Sequence, residues 1–243
     1  MFPQALLILL SATADVPAQP RAESTTALSP EMRGDILMAR KMYREAIETY
    51  QEGPRDSAIL LNKTGIGYHQ LMQLPLAKRH YEQAVKINPQ YSEAMNNVGT
   101  VYYAQKNYRR AIVYYKKALA LSPRSASIHS NLGTAYFARK NYKDAFEEYQ
   151  RALEFDPEVF EHRSSQGVLL MERNVAERAK FHYYLAKTYA KAGSTERALQ
   201  YIRKALEEGF KDRNKFREEA DFASMQELPE FQQLLAMEIR VPI

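Results

Sequence analysis

The 243-residue sequence contains no cysteine and no tryptophan. Disulfides, thiolate metal sites and a cysteine nucleophile are thereby excluded, while either redox compartment stays open. Glycine is scarce, at nine residues. None of the nine builds a phosphate-binding loop, because Gly65-Ile66-Gly67 sits inside a helical pattern. His-Glu-x-x-His and Gly-x-Ser-x-Gly are both missing. No apolar run reaches the roughly twenty residues of a membrane-spanning helix. These absences predict a protein with no catalysis, cofactor or metal of its own.

What is present is a period. Gly65, Tyr68, Ala77, Tyr81, Ala84 and Pro89 recur as Gly99, Tyr102, Ala111, Tyr115, Ala118 and Pro123, then as Gly133, Tyr136, Ala145, Tyr149, Ala152 and Pro157. A period of this length denotes a solenoid whose units bury their apolar faces by stacking on one another. Within each unit, steps of three and four residues place the marks on helix faces, giving two helices per unit. Small residues such as Gly99, Ala111 and Ala118 let helix axes approach, and Tyr102 and Tyr115 fill the surrounding space. Each Pro ends a second helix, so Asn88-Pro89, Ser122-Pro123 and Asp156-Pro157 are turns. Between the paired helices, Asn107 and Asn141 are placed to accept an amide of the following first turn. His69 and His80 fall on opposite helices of one such hairpin, with no carboxylate at a ligand-like spacing from both.

The offsets Gly-x-x-Tyr, Ala-x-x-x-Tyr-x-x-Ala and Pro resemble the tetratricopeptide repeat. The resemblance covers 58–91, 92–125 and 126–159 at all six marks; Leu61, Met95 and His129 stand where the family places Trp. It implies an all-α, right-handed α-solenoid of helix-turn-helix repeats with a C-terminal capping helix. Upstream, Gly34, Ala46 and Tyr50 predict a shortened repeat over 27–57. Downstream, Ala186, Tyr189, Ala198, Ile202 and Ala205 predict a repeat over 179–212, turning at Ala192-Gly193-Ser194, after an insertion over 160–178. That insertion holds Val168-Leu169-Leu170-Met171 and a capping-box pattern at Asn174–Glu177. A competing register uses Gly167, Ala179, Tyr183 and Ala186, leaving the helix near Val175 as either member of a pair. Residues 213–243 read as a cap, with Phe222, Met225, Phe231, Leu234 and Leu235 turned inward and Pro229 at a helix start.

At the other end, Ala5–Leu10 followed by Ser11-Ala12-Thr13-Ala14 predicts a signal peptide over 1–14, although no Lys or Arg precedes the apolar core. Residues 15–29 then form a flexible linker. The chain is expected to be exported, periplasmic or secreted, if that signal operates, and cytoplasmic otherwise.

Function is expected on a surface. The resemblance implies that first helices line a concave groove for an extended peptide or partner helix. Its predicted lining is Asn62, Ile66, His69 and Gln70; Asn96, Asn97, Thr100 and Tyr103; and Ser130, Asn131, Thr134 and Phe137. Amides can donate to and accept from a peptide backbone, and Tyr103 with Phe137 suits an apolar side chain. Only Lys63, beside Glu93, carries positive charge there, unlike the carboxylate-clamp subfamily that holds acidic chaperone tails. In the last repeat, Lys180, Lys187 and Lys191 around Tyr183 form a stripe that either faces water or meets an anionic partner. The net charge of +5 and paired cations such as Arg109-Arg110 suit a solvated outer face better than nucleic acid. The resulting expectation is a non-enzymatic scaffold binding a protein or extended peptide. The alternatives are a regulatory subunit docking on an enzyme through 160–178, or a basic nucleic-acid-binding repeat protein.

Overall fold

The computed structural model describes residues 28–161 and 175–237. The predicted signal segment and most of the insertion, including Val168-Leu169-Leu170-Met171 and Asn174, therefore lie outside the described residues. All regular structure among the described residues is helical. Helices α1 (Pro30–Ala39) and α2 (Tyr43–Gln51) pair first, followed by α3 (Ala58–Gln70) with α4 (Leu74–Ile87), α5 (Ser92–Ala104) with α6 (Tyr108–Leu121), and α7 (Ala126–Ala138) with α8 (Tyr142–Phe155). The fifth pair is α9 (Val175–Lys191) with α10 (Thr195–Glu207). A short α11 (Asn214–Glu218), a 3-10 turn over Ala220–Met225 and α12 (Pro229–Ala236) close that end. Each second helix packs on the first helix of the following pair, closely as far as α7 and more sparsely between α8 and α9. This is a solenoid of antiparallel hairpins.

The repeated glycine and tyrosine act together. Tyr50, Tyr81, Tyr115 and Tyr149 are almost completely buried. Each lies over the glycine of the facing helix, so that a Cβ at Gly65, Gly99 or Gly133 would stand 2.6 or 2.7 Å from the ring. The missing side chain is thus the seat of the ring. In the fifth pair the same positions hold Ala186 and Ile202, both fully buried. There a larger small residue faces a smaller large one, and packing density is kept.

The predicted punctuation is visible. The second helices stop at Ile87, Leu121 and Phe155, just before Asn88, Ser122 and Asp156. Asn107 Oδ1 accepts from the Arg110 amide at 3.3 Å. Asn141 instead donates through Nδ2 to Asp144 at 2.7 Å. Between paired helices, Lys41, Met72, Lys106 and Lys140 adopt φ near +60°, and Gly193 adopts +77° at the corresponding place. Such a residue ends a helix by turning its carbonyl away from the axis.

The far end is filled with aromatic side chains. Tyr183 stacks on Phe210 at 4.5 Å between centroids and meets Phe216 edge-on at 5.4 Å. Phe222, Met225, Phe231, Leu234 and Leu235 are buried with them. Arg213 Nη1 donates to the carbonyls of Leu235 and Met237, fastening the end of α12.

Candidate interaction groove

First helices α3, α5 and α7 lie side by side, and the amides expected to face a ligand meet one another across their contacts. Asn97 Nδ2 donates to Asn62 Oδ1 at 2.9 Å, and Asn131 Nδ2 donates to Asn96 Oδ1 at 3.0 Å. Asn62 Nδ2 also donates to the Tyr91 hydroxyl at 3.3 Å. One pair earlier the same register carries charge: Lys63 Nζ lies 2.8 Å from Glu31 and 2.6 Å from Asp35. Polar groups buried this way must be bonded, and here each helix satisfies the next. Lys63 is consequently neutralised within the chain.

Thr100 and Thr134 serve the tyrosines. Each donates to the carbonyl four residues back, Asn96 or Ser130, and its oxygen accepts from the hydroxyl of Tyr115 at 3.3 Å or Tyr149 at 3.4 Å. Burial holds both phenols well above their ordinary range. At the matching place Ile66 offers Tyr81 no acceptor.

The twelve predicted groove residues therefore divide. Asn62, Asn96, Asn97, Ser130, Asn131, Thr134 and Phe137 are buried; Ile66, His69, Thr100 and Tyr103 are half-buried; Gln70 is exposed. Burial pushes the His69 imidazole below its usual range. Phe137 is packed by Phe181 at 5.5 Å and Tyr184 at 6.0 Å, so α9 closes the groove over α7. The open part runs over α3 and α5.

A polar cavity of about 160 Å³ lies between the start of α5, at Ser92, Glu93, Asn96 and Asn97, and the α6–α7 connection with the first turn of α7, at Ser122, Ser125, Ser127 and Ile128. The amide ladder uses Asn97 as a donor and Asn96 as an acceptor. It leaves Asn97 Oδ1 and Asn96 Nδ2, one acceptor and one donor on adjacent residues. Sequence periodicity gives no sign of this cavity, because Ser92 and Ser125 stand outside the periodic marks.

The lysine stripe is engaged within the chain. Tyr183 is buried and donates its hydroxyl to Glu219. Its burial, then Glu219, push the phenol far up. Lys187 lies 2.7 Å from Glu219 and 3.2 Å from Asp221. Lys180 sits 3.8 Å above the Tyr142 ring, and Lys187 and Lys191 both lie over that of Phe146, at 4.9 and 5.4 Å. Side chains expected to share a free face are held by the cap and by α8. On the outer helices, Lys78 and Arg110 flank the Tyr102 ring, and Lys116 lies over Tyr136. At the position of the family's Trp, buried His129 joins Glu148 at 2.6 Å to the Pro123 carbonyl at 3.0 Å. No group of three or more His, Asp or Glu able to hold a metal ion occurs among the described residues, and none of the described helices is long and apolar enough to cross a membrane.

A tetratricopeptide-repeat family model matches residues 70–126, 99–159 and 169–212, more than half of the chain. The chain belongs to the tetratricopeptide repeat family. Among curated proteins, uncharacterized protein ycf37 of Porphyra purpurea is 32% identical over 84 residues, which cover 30% of this chain and 49% of that protein. The ycf37 protein of Pyropia yezoensis is 40% identical over 53 residues, covering 22% and 30%. The chain thus spans about half, or less, of the length of these curated relatives. Among solved structures, the tetratricopeptide solenoid is similar to MamA, with a TM-score of 0.50 at 20% identity over 74% of this chain and 96% of that one. MamA 41-end from Desulfovibrio magneticus RS-1 gives 0.50 at 19%, covering 73% and 92%. At such identity the likeness is one of fold.

Proposed function

We propose that this tetratricopeptide protein is a non-enzymatic scaffold that holds an extended segment of a partner protein over α3 and α5. The observation that carries the reading is the unspent donor and acceptor of Asn96 and Asn97 beside a polar cavity, with half-buried Tyr103 two turns further along α5. A peptide main chain offers the complementary pair of groups, and an apolar side chain of the ligand fits against Tyr103. The closed stretch over α7 confines the ligand to the N-terminal part of the array. Lys63, already paired with Glu31 and Asp35, disfavours a carboxylate-terminated ligand.

A photo-crosslinking residue placed at Gln70 should capture a partner that the same residue at Lys86, on the outer helix, does not. Tyr103→Ala and Glu93→Ala should reduce capture while leaving thermal unfolding nearly unchanged. Equal crosslinking from the two faces would sink the proposal. Export through residues 1–14 belongs to the same reading, supported by the apolar core and small residues there. N-terminal sequencing of the native protein that starts near Asp15 agrees with it, and an intact Met1 contradicts it.

A further inference from the structure

The turns between paired helices follow one another along a single edge of the solenoid, and this edge is cationic. Lys41, Lys106 and Lys140 stand at the turns, with Arg44, Arg109 and Lys143 three residues further on. All six are exposed. Lys106, Arg109 and Arg139 line one open cleft of about 450 Å³, so that consecutive turns bring their charges together. Further along the outer helices, Lys78 and Lys116 lie over tyrosine rings, and Lys78 is also beside Glu82. Among the described residues no ion pair or ring contact involves the six edge cations. The acidic side chains nearest in sequence are Glu45 and Asp144, and Asp144 accepts a hydrogen bond from Asn141.

Stability does not account for these residues. The left-handed backbone of Lys41, Lys106 and Lys140 favours glycine, which the chain uses at Gly193 in the fifth hairpin. Three times a lysine is kept where glycine would be less strained. Helix dipoles favour a cation at the end of a first helix, but disfavour Arg44, Arg109 and Lys143 in the opening turns of α2, α6 and α8. The second hairpin breaks the charge pattern in an informative way. Its left-handed turn residue is Met72, which is 74% exposed, and Leu76 and Met42 are exposed near the same edge.

Exposed apolar tips set among unpaired cations are the chemistry of a membrane surface: the cations meet anionic headgroups, and the methionine and leucine enter the headgroup boundary. We infer that the edge carrying Lys41, Met72, Lys106 and Lys140 docks the solenoid on an anionic lipid bilayer. This contact leaves the groove free, and it stands or falls independently of the proposed peptide site. Nucleic acid would answer to the same cations but gains nothing from Met72 and Leu76.

The test uses the full chain and phosphatidylcholine vesicles with or without phosphatidylserine. Binding should require the anionic lipid and weaken with salt. The triple variant Lys41→Gly, Lys106→Gly, Lys140→Gly removes charge at positions where glycine suits the backbone, so it should unfold no earlier than the native chain. Its partitioning should fall about a hundredfold at low salt, from roughly fivefold per lysine. Met72→Ser should remove part of the binding that persists at high salt. Equal binding to neutral and anionic vesicles, full binding by the folded triple variant, or tighter lysine-dependent binding to duplex DNA or RNA than to vesicles would each overturn the inference.

Discussion

A side-chain carbon at Gly133 would stand 2.6 Å from Cε1 of Tyr149, a distance that no relaxed structure keeps. Tyr149 is completely buried and its hydroxyl is anchored on Thr134, so the ring has no free direction in which to retreat. Gly133→Ala should therefore destabilise the array by about 1–3 kcal/mol, although alanine is the better helix former by about 1 kcal/mol. Ala186 facing Ile202 shows the chain's own alternative. Gly133→Ala with Tyr149→Ile should be more stable than the sum of the two single changes implies, read as a coupling energy in a urea-unfolding double-mutant cycle. Strict additivity would mean that the two positions do not share one packing problem.

The amide ladder leads to a different expectation. Asn131→Ala removes the donor to Asn96 Oδ1 in a fully buried setting, leaving an acceptor without that partner. The cost should be about 1–3 kcal/mol in denaturant unfolding. Tyr103→Ala, at a half-buried position, should cost less and act chiefly on partner capture. If Asn131→Ala left stability untouched while abolishing capture, the amides would belong to the ligand and not to the stack.

Much of this architecture is legible in the residues. Pro89, Pro123 and Pro157 mark helix ends because a ring without an amide cannot continue a helix, and the Gly and Tyr marks fall on faces that must meet. The roles of Asn96 and Asn131 are not legible in this way. Helical spacing places Asn131 on the face away from Gly133 and Asn96 one turn before Gly99, but whether these positions meet water or the neighbouring repeat depends on how closely successive hairpins stack. Thr100 and Thr134 are hidden for a related reason, since their phenol partners lie fifteen residues away on another helix. Lys187 looks like part of a free cationic stripe because Glu219 and Asp221 reach it only through the path of the cap in space.

Histidine 80 gives the protein a sensitivity to acid. It stacks on Tyr68 at 5.2 Å, and its Nδ1 is buried without a hydrogen-bond partner. Burial, then the nearby Arg79, lower its imidazole below the ordinary value. The unfolded chain consequently takes up this proton first. The stability associated with a neutral His80 is complete above about pH 6.5 and is lost as pH falls below it toward the depressed folded-state value. Tyr114 holds the equivalent place one repeat later, stacked on Tyr102 at 5.3 Å. His80→Tyr should copy that arrangement and flatten the difference in melting temperature between neutral and mildly acidic buffer. His69 and His182, both also lowered, leave some acid sensitivity in the variant, so the decisive quantity is the change in slope.

Lys187 ties the cap to the last hairpin. Its ammonium group lies between Glu219 and Asp221, and Glu219 also accepts from Tyr183. The two carboxylates raise the lysine above its ordinary value against the opposing effect of burial. Lys187→Met keeps the length of the side chain but leaves Glu219 and Asp221 partly buried without their cation. A loss of about 1–3 kcal/mol is expected. The loss should be local: limited proteolysis should cut first within 211–229, while hydrogen exchange over α3 to α6 stays slow, because repeat arrays transmit stability mainly between nearest neighbours. High salt should narrow the gap between variant and native chain, since the interaction removed is ionic and not fully sheltered. Uniform exchange across the whole array after this substitution would show instead that the cap is part of one cooperative unit with the N-terminal repeats.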